Sequence, residues 1–288
     1  MSNKDLKKKY LSVTDFSVSG ETFDLIFNEE FGFLETFPQP LIEKLPDYYK
    51  SEDYISHTDS KRNLFEKAYH SIKKIALKRK LNLINSYTEN GKSLLDFGCG
   101  TGDFLQIAKE NGWDVCGIEP NEQARTIANK KTNNLVFNSE HVFELKDSSF
   151  DVITLWHVLE HLPNLNEHIS ILKKLLKPNG TLIIAVPNFK SYDARYYKNF
   201  WAAFDVPRHL WHFSKASINK LVLKEKMHVI KTSPMLFDSF YVSLLSEKYK
   251  TGKMNPFRAF LIGSLSNLKG FASKEYSSII YCVKKKKN

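Results

Sequence analysis

Apolar positions follow two rhythms along this chain, and each change of rhythm marks an element. Short apolar runs bounded by turn residues occur at 94–95, 114–118, 135–137, 150–156 and 181–186. Runs of this length and composition predict strands buried on both faces. Between them the apolar residues step by three and four, as on one face of a helix: Leu64, Ala68, Ile72 and Ile75 within 59–84, then Phe104, Leu105 and Ala108, then Leu165, Ile169 and Leu172. Lys177-Pro178-Asn179-Gly180 is a turn signal just ahead of the fifth strand. Two further strands are expected at 227–231 and 276–283, with an amphipathic helix at 257–271 carrying Phe260, Leu261, Leu265 and Leu268. Strands alternating with helices predict an α/β fold: a doubly wound, mostly parallel seven-stranded sheet with helices on both faces.

Two stretches break this pattern. Residues 1–58 form a small N-terminal unit, in which 23–27 alternates weakly and Pro38, Pro40 and Pro46 interrupt any long element. The remainder, 59–288, is the main domain, interrupted at about 187–226 by an insert rich in aromatics: Tyr192, Tyr196, Tyr197, Phe200, Trp201, Phe204, Trp211 and Phe213. A chain of 288 residues can bury one large core and a small accessory unit.

Chemistry is most legible at 94–104, LLDFGCGTGDF. A strand ends there, Gly98, Gly100 and Gly102 let the backbone approach a ligand, and a helix begins at once. A dinucleotide fingerprint needs G-x-G-x-x-G, but Asp103 stands where its third glycine belongs. Glu119 closes the second strand, where an acidic side chain can accept both hydroxyls of a ribose. The D-x-G-x-G-x-G spacing from Asp96 resembles motif I of class I S-adenosylmethionine (SAM)-dependent methyltransferases, and Gly117-Ile118-Glu119-Pro120 is similar to their ribose-binding segment. The resemblance covers about 60–235. It implies SAM as cofactor, S-adenosylhomocysteine as product, and a pocket formed by Asp96, Gly98, Cys99, Gly100, Gly102, Glu119, Pro120, Trp156 and His157. The aspartate that such enzymes carry after the third strand for the adenine falls on Ser139, whose hydroxyl can still accept a hydrogen bond. Tyr54 and His57 would belong to a lid.

The same resemblance bears on the N-terminal unit. Related bacterial methyltransferases carry a zinc ribbon there, ending in C-x-x-C-G and P-x-P. This chain keeps Gly32, Pro38 and Pro40 but has Asn28 and Phe31 at the cysteine positions, so a metal-free unit is expected.

Methyl transfer mainly needs alignment in a site shielded from water, with a base where the acceptor starts protonated. A histidine suits that task. Of nine histidines, His157 and His161 follow the fourth strand and His209 and His212 lie in the insert, in PRHLWHFS. His157 and His209 are the candidate bases, and His161, Arg208, His212 and Trp201 are candidate acceptor contacts. His157-x-x-Glu160-His161 also resembles the E-x-x-E-H segment through which some ubiquinone-biosynthesis and small-RNA methyltransferases hold a divalent metal. A metal-free site is the expectation here.

Composition narrows the setting. No run approaches the ~18 apolar residues of a membrane span, and the start MSNKDLKKK is unlike a signal peptide. Three unpaired cysteines suit a reducing cytoplasm. The net charge of +10 is partly carried by lysines at 7–9 and 284–287, which suit a weak peripheral contact with a membrane. The insert has few lysines, which argues against stable nucleic-acid binding. The expected function is SAM-dependent methylation, on oxygen, of a small or lipophilic acceptor. RNA methylation and a non-catalytic SAM-binding scaffold are the rival readings.

Overall fold

The computed structural model describes residues 8–49, 64–88 and 91–286. The boundary expected at 58 and the lid residues Tyr54 and His57 lie outside them.

Three short antiparallel strands come first: β1 (Lys9–Thr14), β2 (Thr22–Phe27) and β3 (Leu34–Phe37). Their inner face buries Val13, Phe23, Leu25 and Leu34. At the turn before β3 the Asn28 carboxamide accepts the Phe31 N–H at 2.9 Å and donates to Glu35 at 2.6 Å. The Phe31 ring stacks on Phe33 at 5.3 Å, inside the main core. Asn28 and Phe31 thus hold this turn by a hydrogen bond and by packing.

Helix α1 (Leu64–Asn85) leads into the large sheet. Its strands are β4 (Ser93–Phe97), β5 (Asp114–Ile118), β6 (Val136–Phe137), β7 (Phe150–Trp156) and β8 (Leu176–Pro187), with α2 (Asp103–Glu110), α3 (Glu122–Thr132) and α4 (Leu165–Leu175) as connections. These five strands run parallel, in the order β8-β7-β4-β5-β6. Leu94, Leu95, Ile153, Leu155, Ile183 and Ile184 are wholly buried, because helices cover both faces. The turn expected at 177–180 persists inside β8 as an irregularity: Phe150 faces Leu176, whereas Val152 faces Thr181.

The chain then leaves the sheet through α5 (Tyr192–Tyr197), β9 (Trp211–His212) and α6 (Lys215–Lys224). It returns as β10 (Met227–Pro234), makes a two-helix excursion through α7 (Asp238–Thr251) and α8 (Pro256–Ser273), and ends with β11 (Ser278–Lys285). β11 lies antiparallel between β8 and β10, giving seven strands in all. β9 pairs with β3, not with the large sheet, so the insert supplies the fourth strand of the N-terminal sheet. The two parts are also tied by charge: Arg208 of the insert reaches Asp15 at 3.1 Å, with both side chains buried.

Candidate active site

The glycine loop sits at the carboxyl ends of β4 and β5, where a doubly wound sheet opens a crevice. Gly98, Gly100 and Gly102 all have positive φ, at 74°, 56° and 77°. The loop is pinned to β5 by the Gly98 N–H, which donates to the Ile118 carbonyl at 2.7 Å. The three glycines face different surroundings. A Cβ on Gly98 would meet Val158 Cγ2 at 2.4 Å, and one on Gly102 would meet the Ala128 Cα at 2.9 Å. At Gly100 a Cβ would meet nothing within 4 Å. Gly98 and Gly102 serve the packing of the loop, while Gly100 borders open space.

Glu119 faces that space. One carboxylate oxygen accepts the Gly100 N–H at 2.8 Å and the other accepts the Asn121 N–H at 2.9 Å. Burial raises its pKa, against the pull of those two amides and Arg125. Each oxygen retains a lone pair for a ligand hydroxyl. Pro120 follows directly, and Ser139 lies half-buried just past β6, beside Asn138, whose side chain caps the next turn. Cys99 borders the loop, with its thiol pushed far up by burial, so it is a space-filler and not a nucleophile.

Asp96 lies beneath the loop, accepting from the Thr154 hydroxyl at 2.6 Å. Burial pushes its pKa up to about 7, although Thr154 and Lys80 favour the charged form. Lys80 comes from α1 and rests over the Trp156 ring at 4.4 Å. Burial pulls its pKa down, opposed by Asp96 and Asp238. The Trp156 indole N–H is buried without a hydrogen-bond partner.

The histidines separate into different roles. His157 ends β7 in a left-handed conformation, at φ 57°. Its ring is held between Asp238 Oδ2 at 3.0 Å and Glu160 Oε1 at 3.3 Å. Burial works against the charge, but these two carboxylates outweigh it and push the pKa up to about 10. At neutral pH His157 is a held imidazolium.

His209 is the opposite case. Burial and the neighbouring His161 lower its pKa well below the usual value, so the ring is neutral. Its Nδ1 donates to the Ala203 carbonyl at 3.0 Å, which leaves Nε2 with a bare lone pair. His161 packs edge-on against it, with ring centroids 4.5 Å apart, and its Nδ1 lies 3.1 Å from the Arg208 carbonyl. Glu160 Oε2 is buried with no hydrogen-bond partner. One donor atom from each of Glu160, His161 and His209 falls within 4.8 Å of the others, so this trio has the ligands for a divalent cation. His157 stands outside it.

Three residues expected to contact the acceptor are committed elsewhere. Trp201 is a core residue whose indole N–H donates to Asp193 at 2.8 Å. Arg208 spends its guanidinium on Asp205, Asp15, Ser17 and the Tyr48 carbonyl. His212 is buried, lies 2.9 Å from the Thr36 hydroxyl, and has its pKa lowered by burial to about 3. Neither Asp238 nor Lys80 is legible in the sequence, since no local pattern links either to a strand end far away in the chain.

Comparison with known proteins bears directly on this geometry. A family model described as a methyltransferase domain matches residues 63–225, more than half of the chain. The chain belongs to this methyltransferase family. It is 32% identical over 111 residues to a ubiquinone biosynthesis O-methyltransferase of Photobacterium profundum, covering 35% of this chain and 47% of that one. It is 34% identical over 124 residues to the protein of that description from Vibrio atlanticus, covering 39% and 52%. The chain thus spans about half the length of the curated relatives it matches. Among solved structures, a magnesium protoporphyrin IX methyltransferase from Synechocystis, with bound S-adenosylhomocysteine, aligns at a TM-score of 0.54 and 17% identity, over 83% of this chain and 97% of that one. A SAM-dependent methyltransferase from Archaeoglobus fulgidus aligns at 0.50 and 21%, over 77% and 98%. At these identities the likeness is one of fold.

Proposed function

We propose that this protein is a SAM-dependent methyltransferase acting on a hydroxyl oxygen of a small, lipophilic molecule. The observation that carries the cofactor is the pairing of Glu119 with an open Gly100. An acidic acceptor faces a point of backbone where the protein places no atom of its own. Bound there, SAM supplies a methyl group on a positively charged sulfur. Glu119 would accept the ribose hydroxyls, Gly100 would allow close approach, Ser139 would offer its hydroxyl to the adenine, and Asp96 and Trp156 would line the floor.

For the acceptor, the chemistry of the two histidine sites differs. His209 Nε2 takes the hydroxyl proton, because its ring is neutral and its other nitrogen is already oriented by Ala203. His157, already protonated, positions the carboxyl end of β7 through Asp238 and Glu160. Oxygen as the target agrees with the description of the curated relatives.

The test is SAM turnover with a panel of lipophilic phenols, read as S-adenosylhomocysteine release and product mass. His209→Ala is expected to lower turnover by about 10²–10⁴-fold, the usual share of a general base, with SAM affinity unchanged. Full turnover in His209→Ala would remove the base. Activity lost to a chelator and restored by a divalent ion would give the Glu160–His161–His209 trio to a metal instead.

A further inference from the structure

Helix α8 is built inside out. Its buried residues are mostly small: Ala259, Gly263, Ser266 and Gly270, with Ile262. Its large apolar residues face outward, with Phe257 81% exposed, Phe260 63%, Leu261 49%, Leu268 68% and Phe271 70%. At 3.6 residues per turn these five positions fall on one stripe about 100° wide. The inner face cannot accept them. A Cβ on Gly263 would already meet Phe240 Cδ1 at 2.7 Å, and one on Gly270 would meet Tyr276 Cδ1 at 2.6 Å. The small face is what lets α8 lie close against α7 and α5, where the Ser266 hydroxyl donates to Asp193, and the large face is left for something else. An apolar stripe of this extent on a protein surface marks an interaction site.

Charge identifies the partner. Between Glu247 and Glu275 the chain carries Lys248, Lys250, Lys253, Arg258, Lys269 and Lys274, and no Asp or Glu. The two bounding carboxylates are engaged: Glu247 is buried against Tyr197 and Arg258, and Glu275 accepts from Asn188. The stretch therefore carries an excess of positive charge around the stripe, with Arg258 the cation matched by Glu247. Two copies meeting through this face would bring like charges together. A surface that is apolar below and anionic above would satisfy both parts. Among the described residues no helix is long and apolar enough to cross a membrane.

We propose that α8 is a membrane-docking helix, seated in the plane of an anionic lipid surface with Phe257, Phe260, Leu261, Leu268 and Phe271 among the acyl chains. Lysines around it contact the headgroups. The docked helix packs on α7, whose first residue, Asp238, holds His157.

Flotation of the full-length protein with phosphatidylcholine–phosphatidylglycerol vesicles, against phosphatidylcholine alone, tests it. Binding is expected only to the anionic vesicles and should weaken at high salt. The Phe257→Ser/Leu268→Ser/Phe271→Ser variant should lose it, and Lys253→Gln and Lys274→Gln should each weaken it about fivefold. SAM affinity and melting temperature of these variants should match the wild type, which separates failed docking from a failed fold or a wrong cofactor. No flotation of the wild type would overturn the proposal. So would unchanged flotation of the triple-serine variant, which would move the contact to the terminal lysine runs. A dimer that the triple-serine variant converts to monomer, without lipid binding, would make the occupant a second copy and overturn it as well.

Discussion

Arg208 shows how far a residue's surroundings decide its meaning. In sequence it is a cation beside two histidines, well suited to an anionic acceptor. In the fold it is buried between Asp15 and Asp205. Removing one member of a buried pair strands the other charges, at a cost of about 3–5 kcal/mol. Arg208→Ala should therefore lower the unfolding free energy by that amount, measured by denaturant titration. A well-folded variant with only a raised acceptor KM would return Arg208 to the substrate. Glycines give a second contrast. Gly100→Ala should weaken SAM binding with modest loss of stability, since its Cβ meets no protein atom, though φ 56° adds some strain. Gly98→Ala should destabilise the fold itself through Val158. Calorimetry and thermal melts on the two variants separate these outcomes. Glu119→Ala should cost about 1–3 kcal/mol of SAM affinity, the range for hydrogen bonds to a charged group. Equal binding by the variant would place the ribose elsewhere.

At the scale of elements, legibility followed the burial pattern. β5 and β7 match their predicted spans because a strand covered on both faces leaves an unbroken apolar run. α4 and α8 were equally plain from their spacing, although spacing could not tell which way α8 points its apolar stripe. α7 left no such trace. Its buried face includes Ser239, Ser243, Ser246 and Glu247, so its inner side reads as polar. That side packs on the insert, where Ser246 accepts the Ala202 N–H and Glu247 the Tyr197 hydroxyl. β9 was illegible for another reason. It is two residues long and takes its partner from β3, a pairing that no local window contains. The glycine loop and Glu119 were legible because their chemistry is local. The surroundings of the histidines were not, because Asp238 lies far from His157 in the chain and Ala203 meets His209 only through the irregular fold of the insert.

For the molecule as a whole, the buried histidines shape the response to pH. His212 and His209 are neutral in the fold, with His212 lowered to about 3 from an ordinary 6.5. A depressed folded pKa means that the unfolded chain binds the proton first. The stability these rings allow is present above about pH 6.5 and is lost as pH falls toward 3. His157 acts in the other direction. With its folded pKa raised to about 10, its contribution is complete below 6.5 and disappears as pH rises through 10. Melting temperature should thus be highest near neutrality and fall on both sides. Asp96, raised to about 7, gains stability over the same window and offsets part of this loss, so the check uses Asp96→Asn: a profile flat between pH 7 and 5 in that variant would mean that His209 and His212 meet solvent.

The pairing of β3 with β9 also has a consequence in time. During synthesis β3 is finished while residues 211–212 are still unmade, a gap of roughly ten seconds or more at ordinary elongation rates. Throughout that interval a nascent three-stranded sheet presents an open edge at Leu34 and Glu35, and Asp15 has no Arg208 to neutralise it. A sheet begun this early in the chain is therefore among the last to be completed, and its open edge is where a crowded, newly made chain is most exposed to mispairing.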